Sequence, residues 1–175
     1  MKKSMSELAR LSVEEFKNSS KLPCVVLLDN VRSQHNIGSV FRTSDAFRVS
    51  EIILCGITAT PPNKEIEKTA LGATNSVSWR YFENPTEAID MLKKDGYTII
   101  GVEQTHNSLK IDKDKWLNAN EKVVFVFGNE VFGISEEVLN LCDKTIEIPQ
   151  YGTKHSLNIS VCAGIIIWEM CKYSF

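Results

Sequence analysis

Cys24 to Leu28 is an unbroken apolar run of strand length, closed by Asp29. A strand with one wet face alternates apolar and polar residues, so a continuous run calls for cover on both faces. Lys122 to Phe127 is a second run of β-formers, and Glu51–Cys55, Val77–Phe82, Tyr97–Val102 and Thr145–Ile148 supply four more segments of that length. Helical periodicity fills the gaps: residues 36–47, 64–70, 85–94, 135–141 and 156–171. Strands alternating with helices at this spacing predict an α/β fold, a mostly parallel six-stranded sheet with helices on both faces and right-handed crossovers.

Residues 4–20 place Met5, Leu8, Leu11, Val13 and Phe16 at helical spacing, which predicts an amphipathic N-terminal helix. The Lys- and Asp-rich segment 104–122 reads as surface. With no internal repeat, linker or low-complexity tract, the 175 residues are expected to form one domain, residues 1–21 being a helical extension.

Apolar residues at 43% and charged residues at 24% fit a globular chain, and no apolar run approaches a membrane span. The first ten residues lack the apolar core of a secretion signal. The five cysteines (24, 55, 142, 162 and 171) are odd in number and form no C-x-x-C pair. They read as reduced core thiols of a cytoplasmic protein, and neither a disulfide framework nor a metal site is expected. The net charge of −2 conceals an asymmetry: residues 1–80 hold 11 Lys and Arg against 8 Asp and Glu, residues 81–175 hold 9 against 14. A basic face on the first half would suit a nucleic-acid partner.

In open α/β sheets ligands sit beyond the carboxyl ends of the strands. Three polar loops are expected there: Asp29 to Arg42, Phe127 to Gly133, and Tyr151 to Ser160. The last opens a helix with almost no polar residue from Leu157 to Met170, which must be buried in a core or against a partner chain. Ser156, Asn158 and Ser160 stand where side-chain oxygens cap a helix or turn to a ligand.

The set Asn36-Ile-Gly-Ser-Val-Phe-Arg-Thr43, Phe127-Gly-Asn-Glu130 with Gly133, Ile148-Pro149 and Ser156-Leu-Asn-Ile-Ser160, in this order and after these strands, resembles the three motifs of SpoU-type RNA 2′-O-ribose methyltransferases of the SPOUT superfamily. Lys68-Thr-Ala-Leu-Gly-Ala73 looks like a further stretch common in that family, and the resemblance covers about residues 22–172. It implies a C-terminal trefoil knot that binds S-adenosylmethionine (AdoMet), a homodimer through the last helix, and methyl transfer to a ribose hydroxyl without a metal.

Carried onto this sequence, the resemblance makes Arg42, Asn36, Glu130, Ser156 and Asn158 the catalytic set. Arginine is protonated at any ordinary pH, so Arg42 is expected to hold the phosphate next to the target and lower the hydroxyl pKa electrostatically. Cofactor contacts fall on Val102, Glu103, Gly128, Ile148, Ser156 and Leu157, largely through main-chain groups. RNA contacts fall on Arg32, Arg42, Arg48, Lys64, Lys68 and Lys154, with Lys2, Lys3, Arg10, Lys17 and Lys21 added by the N-terminal helix. No separate N-terminal RNA-binding domain is visible, so tRNA is expected before rRNA. Three rivals stand beside this reading: a knotted RNA-binding module without transfer, an rRNA enzyme, and a flavodoxin-like nucleotide domain, for which the loop after the first strand lacks a glycine-rich run. His155-Ser156 does not make a hydrolase, since adjacent residues rarely face each other as base and nucleophile.

Overall fold

The computed structural model describes Lys2 and residues 10–118 and 120–172. Seven strands form one sheet: β1 (Leu22–Asp29), β2 (Val49–Cys55), β3 (Trp79–Phe82), β4 (Thr98–Val102), β5 (Leu109–Lys110), β6 (Val123–Phe127) and β7 (Lys144–Glu147). Their order is β3-β2-β1-β6-β4-β7-β5, and all six ladders are parallel.

The unbroken runs are explained by two cores. Cys24, Val26 and Leu28 of β1, with Val123, Phe125 and Phe127 of β6, face a cluster built with α2 (Gln34–Ala46), α3 (Lys64–Ala70) and α7 (Ile159–Cys171). Val25, Leu27, Val124 and Val126 face the other cluster, with Ala88, Ile89 and Leu92 of α5 (Pro85–Lys94) and Val138 of α6 (Glu136–Leu141). Every side chain on β6 is buried whichever way it points. At about 25 cal/mol per Å² of apolar surface removed from water, such central strands supply much of the folding drive.

The expectation of six strands is corrected to seven. The extra one, β5, is two residues long and lies in the segment expected to be surface, where Leu109 pairs with Ile146. Two residues carry no readable periodicity. The same segment also sends Trp116, 1% exposed, and Leu117 into the first core, with Trp116 tilted against Phe125 at 6.0 Å. A flanking run of Lys and Asp hid these two anchors.

Helix boundaries differ by one cap. Helix α2 starts two residues ahead of Asn36, because Ser33 accepts from the Asn36 amide and takes the cap position. Helix α7 starts at Ile159, with Asn158 as its cap. The N-terminal helix is α1 (Val13–Asn18), closed by a Ser12/Glu15 capping box. Residues 4–9 of the expected helix lie outside the described residues. A short turn of helix, α4 (Ala73–Ser76), was not foreseen. Among the described residues no helix is long and apolar enough to cross a membrane.

Neighbours β1, β6, β4 and β7 all run the same way. Asp29, Phe127, Val102 and Glu147 therefore end at one edge, and the loops that follow must meet.

Candidate active site

Between those loops lies a cavity of about 660 Å³, inside the range of about 300–1,000 Å³ usual for small-molecule sites. One wall is the turn after β6. Asn129 and Gly133 exchange both main-chain hydrogen bonds at 2.9 Å, and the Asn129 side chain accepts from the amides of Val131 and Phe132 at 2.9 and 3.2 Å. Its amide group donates to the Asn30 carbonyl at 2.8 Å, fixing the turn to the end of β1.

Two glycines permit this packing. A Cβ on Gly128 would stand 2.1 Å from the main chain of Gly133 and Ile134, and Gly133 has φ +71° with a Glu103 carboxylate oxygen 2.4 Å from its Cβ position. Glu103 accepts from the Ile134 amide at 3.2 Å and the Gln104 amide at 2.9 Å, which joins β4 to the same turn. Buried Asp29 adds a third tie, accepting from Ser135 N at 3.1 Å and Oγ at 3.0 Å.

Glu130 reaches the start of α2. Its carboxylate accepts from the amides of Arg32 and Ser33, both at 3.0 Å, and from Asn36 Nδ2 at 3.2 Å. Partial burial alone would raise its pKa, but these donors outweigh that and hold it below the ordinary carboxylate value. Asn36 Oδ1 in turn accepts from Asn158 Nδ2 at 3.1 Å, while Asn158 Oδ1 caps α7 through Ser160 N at 2.9 Å. One hydrogen-bonded chain thus links segments about a hundred residues apart: Glu130, Asn36 and Asn158, with the first turns of α2 and α7.

The opposite wall is the loop from Gln150 to Asn158. Residues 151–158 are all exposed, and the tie in its middle is Gln104 Nε2 donating to the His155 carbonyl at 2.9 Å.

All six residues expected to hold a cofactor line the cavity: Val102, Glu103, Gly128, Ile148, Ser156 and Leu157. Glu130 and Asn158 line it too; Asn36 is bound to both from just outside. Arg42 does not line it. It is exposed on α2, with no hydrogen bond or ion pair among the described residues. Arg32, Lys64 and Lys154 are likewise exposed. Lys68 is exposed but bound to Glu65 at 2.7 Å, and Glu65 also meets His35 Nε2 at 3.1 Å. Arg48 is half-buried, with φ +53°. Lys2, Arg10 and Lys17 are exposed; Lys21 is turned back onto the Phe16 and Ser19 carbonyls; Lys3 lies outside the described residues.

Sequence reasoning placed Asn129 in a motif and Asp29 at the start of a ligand loop but gave neither a role, and it missed Gln104. An acid closing an unbroken apolar strand and an Asn four residues before a glycine were the available signals for the first two. Gln104 gave none. Cys162 also lines the cavity, where burial, with the Glu103 charge beside it, pushes its thiol up to about 12 and leaves it no nucleophile.

The apolar lining from Val102, Phe127, Ile146, Ile148 and Leu157 suits the flat face of a base. The carboxylates of Glu103, Glu130 and Glu147 suit a cationic ligand with ribose hydroxyls. A ligand of AdoMet's make-up fits this set.

Comparison with known proteins agrees. The model of the SpoU rRNA Methylase family matches residues 23–168. The chain is 31% identical over 155 residues to the 23S rRNA (guanosine-2′-O-)-methyltransferase RlmB of Neisseria meningitidis, covering 88% of this chain and 60% of the relative. The A. aeolicus TrmH/SpoU tRNA modifying enzyme superposes with a TM-score of 0.79 at 28% identity, covering 92% of this chain and 81% of that one. The AdoMet-bound rRNA methyltransferase of Sinorhizobium meliloti gives 0.80 at 25% identity, covering 91% and 60%. The chain spans 60–63% of the length of the curated relatives it matches.

Proposed function

Because the chain belongs to the SpoU rRNA Methylase family, we propose that it transfers the methyl group of AdoMet to a ribose 2′-hydroxyl of RNA. The observation that carries this reading is the convergence of the three motif loops on one cavity. AdoMet, when bound, supplies an activated methyl on a sulfonium, so the chain has only to bind, orient and manage a proton. Val102, Glu103, Gly128, Ile148, Ser156 and Leu157 hold the cofactor in this reading.

Glu130 has both carboxylate oxygens engaged. Its part is to hold the start of α2 and the Asn36 amide in place at the rim, and through Asn36 the amide of Asn158. Ser156 and Asn158 present their remaining groups to the incoming ribose. Arg42 lies six residues beyond Asn36, about 9 Å of helical rise, and lines no wall of the cavity. That separation suits a contact with the phosphate next to the target, from which the guanidinium favours the ionised hydroxyl electrostatically.

The same reading threads the C-terminal segment as a trefoil knot within a single domain. The meeting of the turn after β6 with the 150–158 loop around one cavity is what supports it. It also pairs two chains through α7: Val161 (51% exposed) and Trp168 (53%) lie seven residues apart on one stripe of an apolar helix whose opposite face is buried. A tRNA substrate in the cytoplasm is the preferred reading, supported by the likeness to the A. aeolicus tRNA modifying enzyme. The 31% identity to a 23S rRNA enzyme keeps rRNA as the second reading.

The test is transfer of labelled methyl from AdoMet to undermethylated tRNA and rRNA. Wild type is expected to label tRNA in a form resistant to alkali at the methylated linkage, because alkaline cleavage needs a free 2′-hydroxyl. Arg42→Ala is expected to lower the rate about 10²- to 10³-fold. Label confined to rRNA would reverse the substrate preference, and label in neither RNA would refute transfer.

A further inference from the structure

Phe132 stands at the tip of the 129–133 turn, lines the cavity, and yet is 85% exposed, so its ring lies at the mouth. Exposure of one phenylalanine means little by itself. Here the backbone beneath it is fixed: the Phe132 amide is bonded to Asn129 Oδ1 at 3.2 Å, and Asn129 and Gly133 clasp the turn at 2.9 Å on both sides. Two residues away, Glu130 fastens the turn to the Arg32 amide at 3.0 Å. The Arg32 guanidinium is exposed and unbonded among the described residues. A flat apolar ring thus stands at the cavity mouth, and an uncommitted cation extends from the segment tied to the same turn, just outside the lining.

We infer that Phe132 is the stacking platform for the base of the target nucleotide, with Arg32 on its phosphate. RNA bases in unpaired loops are read by stacking on aromatic rings, and the ring chooses geometry without choosing sequence. Held against Phe132, the base leaves its own ribose turned to the cavity. The inference rests on the methyl-transfer reading and specifies which nucleotide conformation that site accepts: one whose base is out of the helical stack.

The experiment compares wild type, Phe132→Leu, Phe132→Ala and Phe132→Tyr for labelled methyl transfer to undermethylated bulk tRNA and rRNA, with AdoMet affinity measured by calorimetry. Leu keeps apolarity and removes the ring; Tyr restores it. The expected result is a fall in kcat/KM of about 5- to 150-fold for Leu and Ala, carried mainly by KM for RNA. Tyr should stay within about threefold of wild type, with AdoMet affinity unchanged in all four. Leu equal to wild type overturns the stacking role. A loss of AdoMet affinity in Leu also overturns it, by assigning the ring to the cofactor. Absence of transfer by wild type removes the reading beneath it, and is distinguishable because no variant is then needed.

Discussion

The two walls of the cavity are built in opposite ways. The 128–135 wall is tied by main-chain and side-chain bonds to β1, β4 and α2, and its two glycines let backbone press on backbone. The 150–158 wall is exposed from Tyr151 to Asn158, and among the described residues the tie in its middle is the Gln104 bond. A preformed wall can hold geometry before anything binds, while a loosely tied wall is free to close over a ligand or meet a second chain. The difference suggests a division of labour in which the β6 turn sets the site and the β7 loop seals it.

The largest effect that would break this contrast is at Gly128. A methyl there meets main chain at 2.1 Å, so Gly128→Ala should destabilise the protein by about 3 kcal/mol and abolish transfer, measured by thermal unfolding and by the methyl-transfer assay. An unchanged melting temperature would mean the turn yields and is not locked.

Next is association through α7. Val161→Glu should turn a dimer into a monomer in sedimentation, since a carboxylate would then lie in an apolar contact. A monomeric wild type removes the second chain from the open wall.

Glu130→Gln sharpens the account of the locked wall. At neutral pH it should lower stability by about 1 kcal/mol, because an amide cannot accept from the Arg32, Ser33 and Asn36 donors as a carboxylate does. The folded-state pKa of Glu130 is depressed, so its contribution is present above the ordinary value of 4.5 and fades as pH falls through the lowered value. The gap in melting temperature between wild type and Glu130→Gln should therefore close below pH 4.5.

The smallest effect is on the open wall. A Cβ on Gly152 meets nothing within 4 Å, so Gly152→Ala should change stability by less than about 0.5 kcal/mol. Hydrogen exchange completes the comparison: amides of 128–135 should be slow with or without AdoMet, and those of 150–158 should slow only when AdoMet is added.

Much of this was legible in the sequence. Unbroken runs at Cys24–Leu28 and Val123–Phe127 encode two-sided burial directly; the motifs held Gly128, Ile148, Ser156 and Leu157 of the cavity lining, and the family resemblance added Val102 and Glu103 at the end of β4. What escaped was encoded in tertiary contact. The strand at Leu109–Lys110 is too short for periodicity, and Trp116 enters the core from a charged neighbourhood. Gln104 looks like any loop residue until β4 and β7 lie side by side. The helix read from Asn36 onward starts two residues earlier, since Ser33 holds the cap position, and the Asn36 side chain is left to join Glu130 to Asn158.

The central claim is that the cavity between a fixed and a closing wall takes AdoMet. Calorimetric titration of the wild-type chain with AdoMet, its demethylated product and ATP tests it most directly. The account predicts saturable binding of the first two at one site per chain and none of ATP; no heat with AdoMet, or equal binding of ATP, would contradict it.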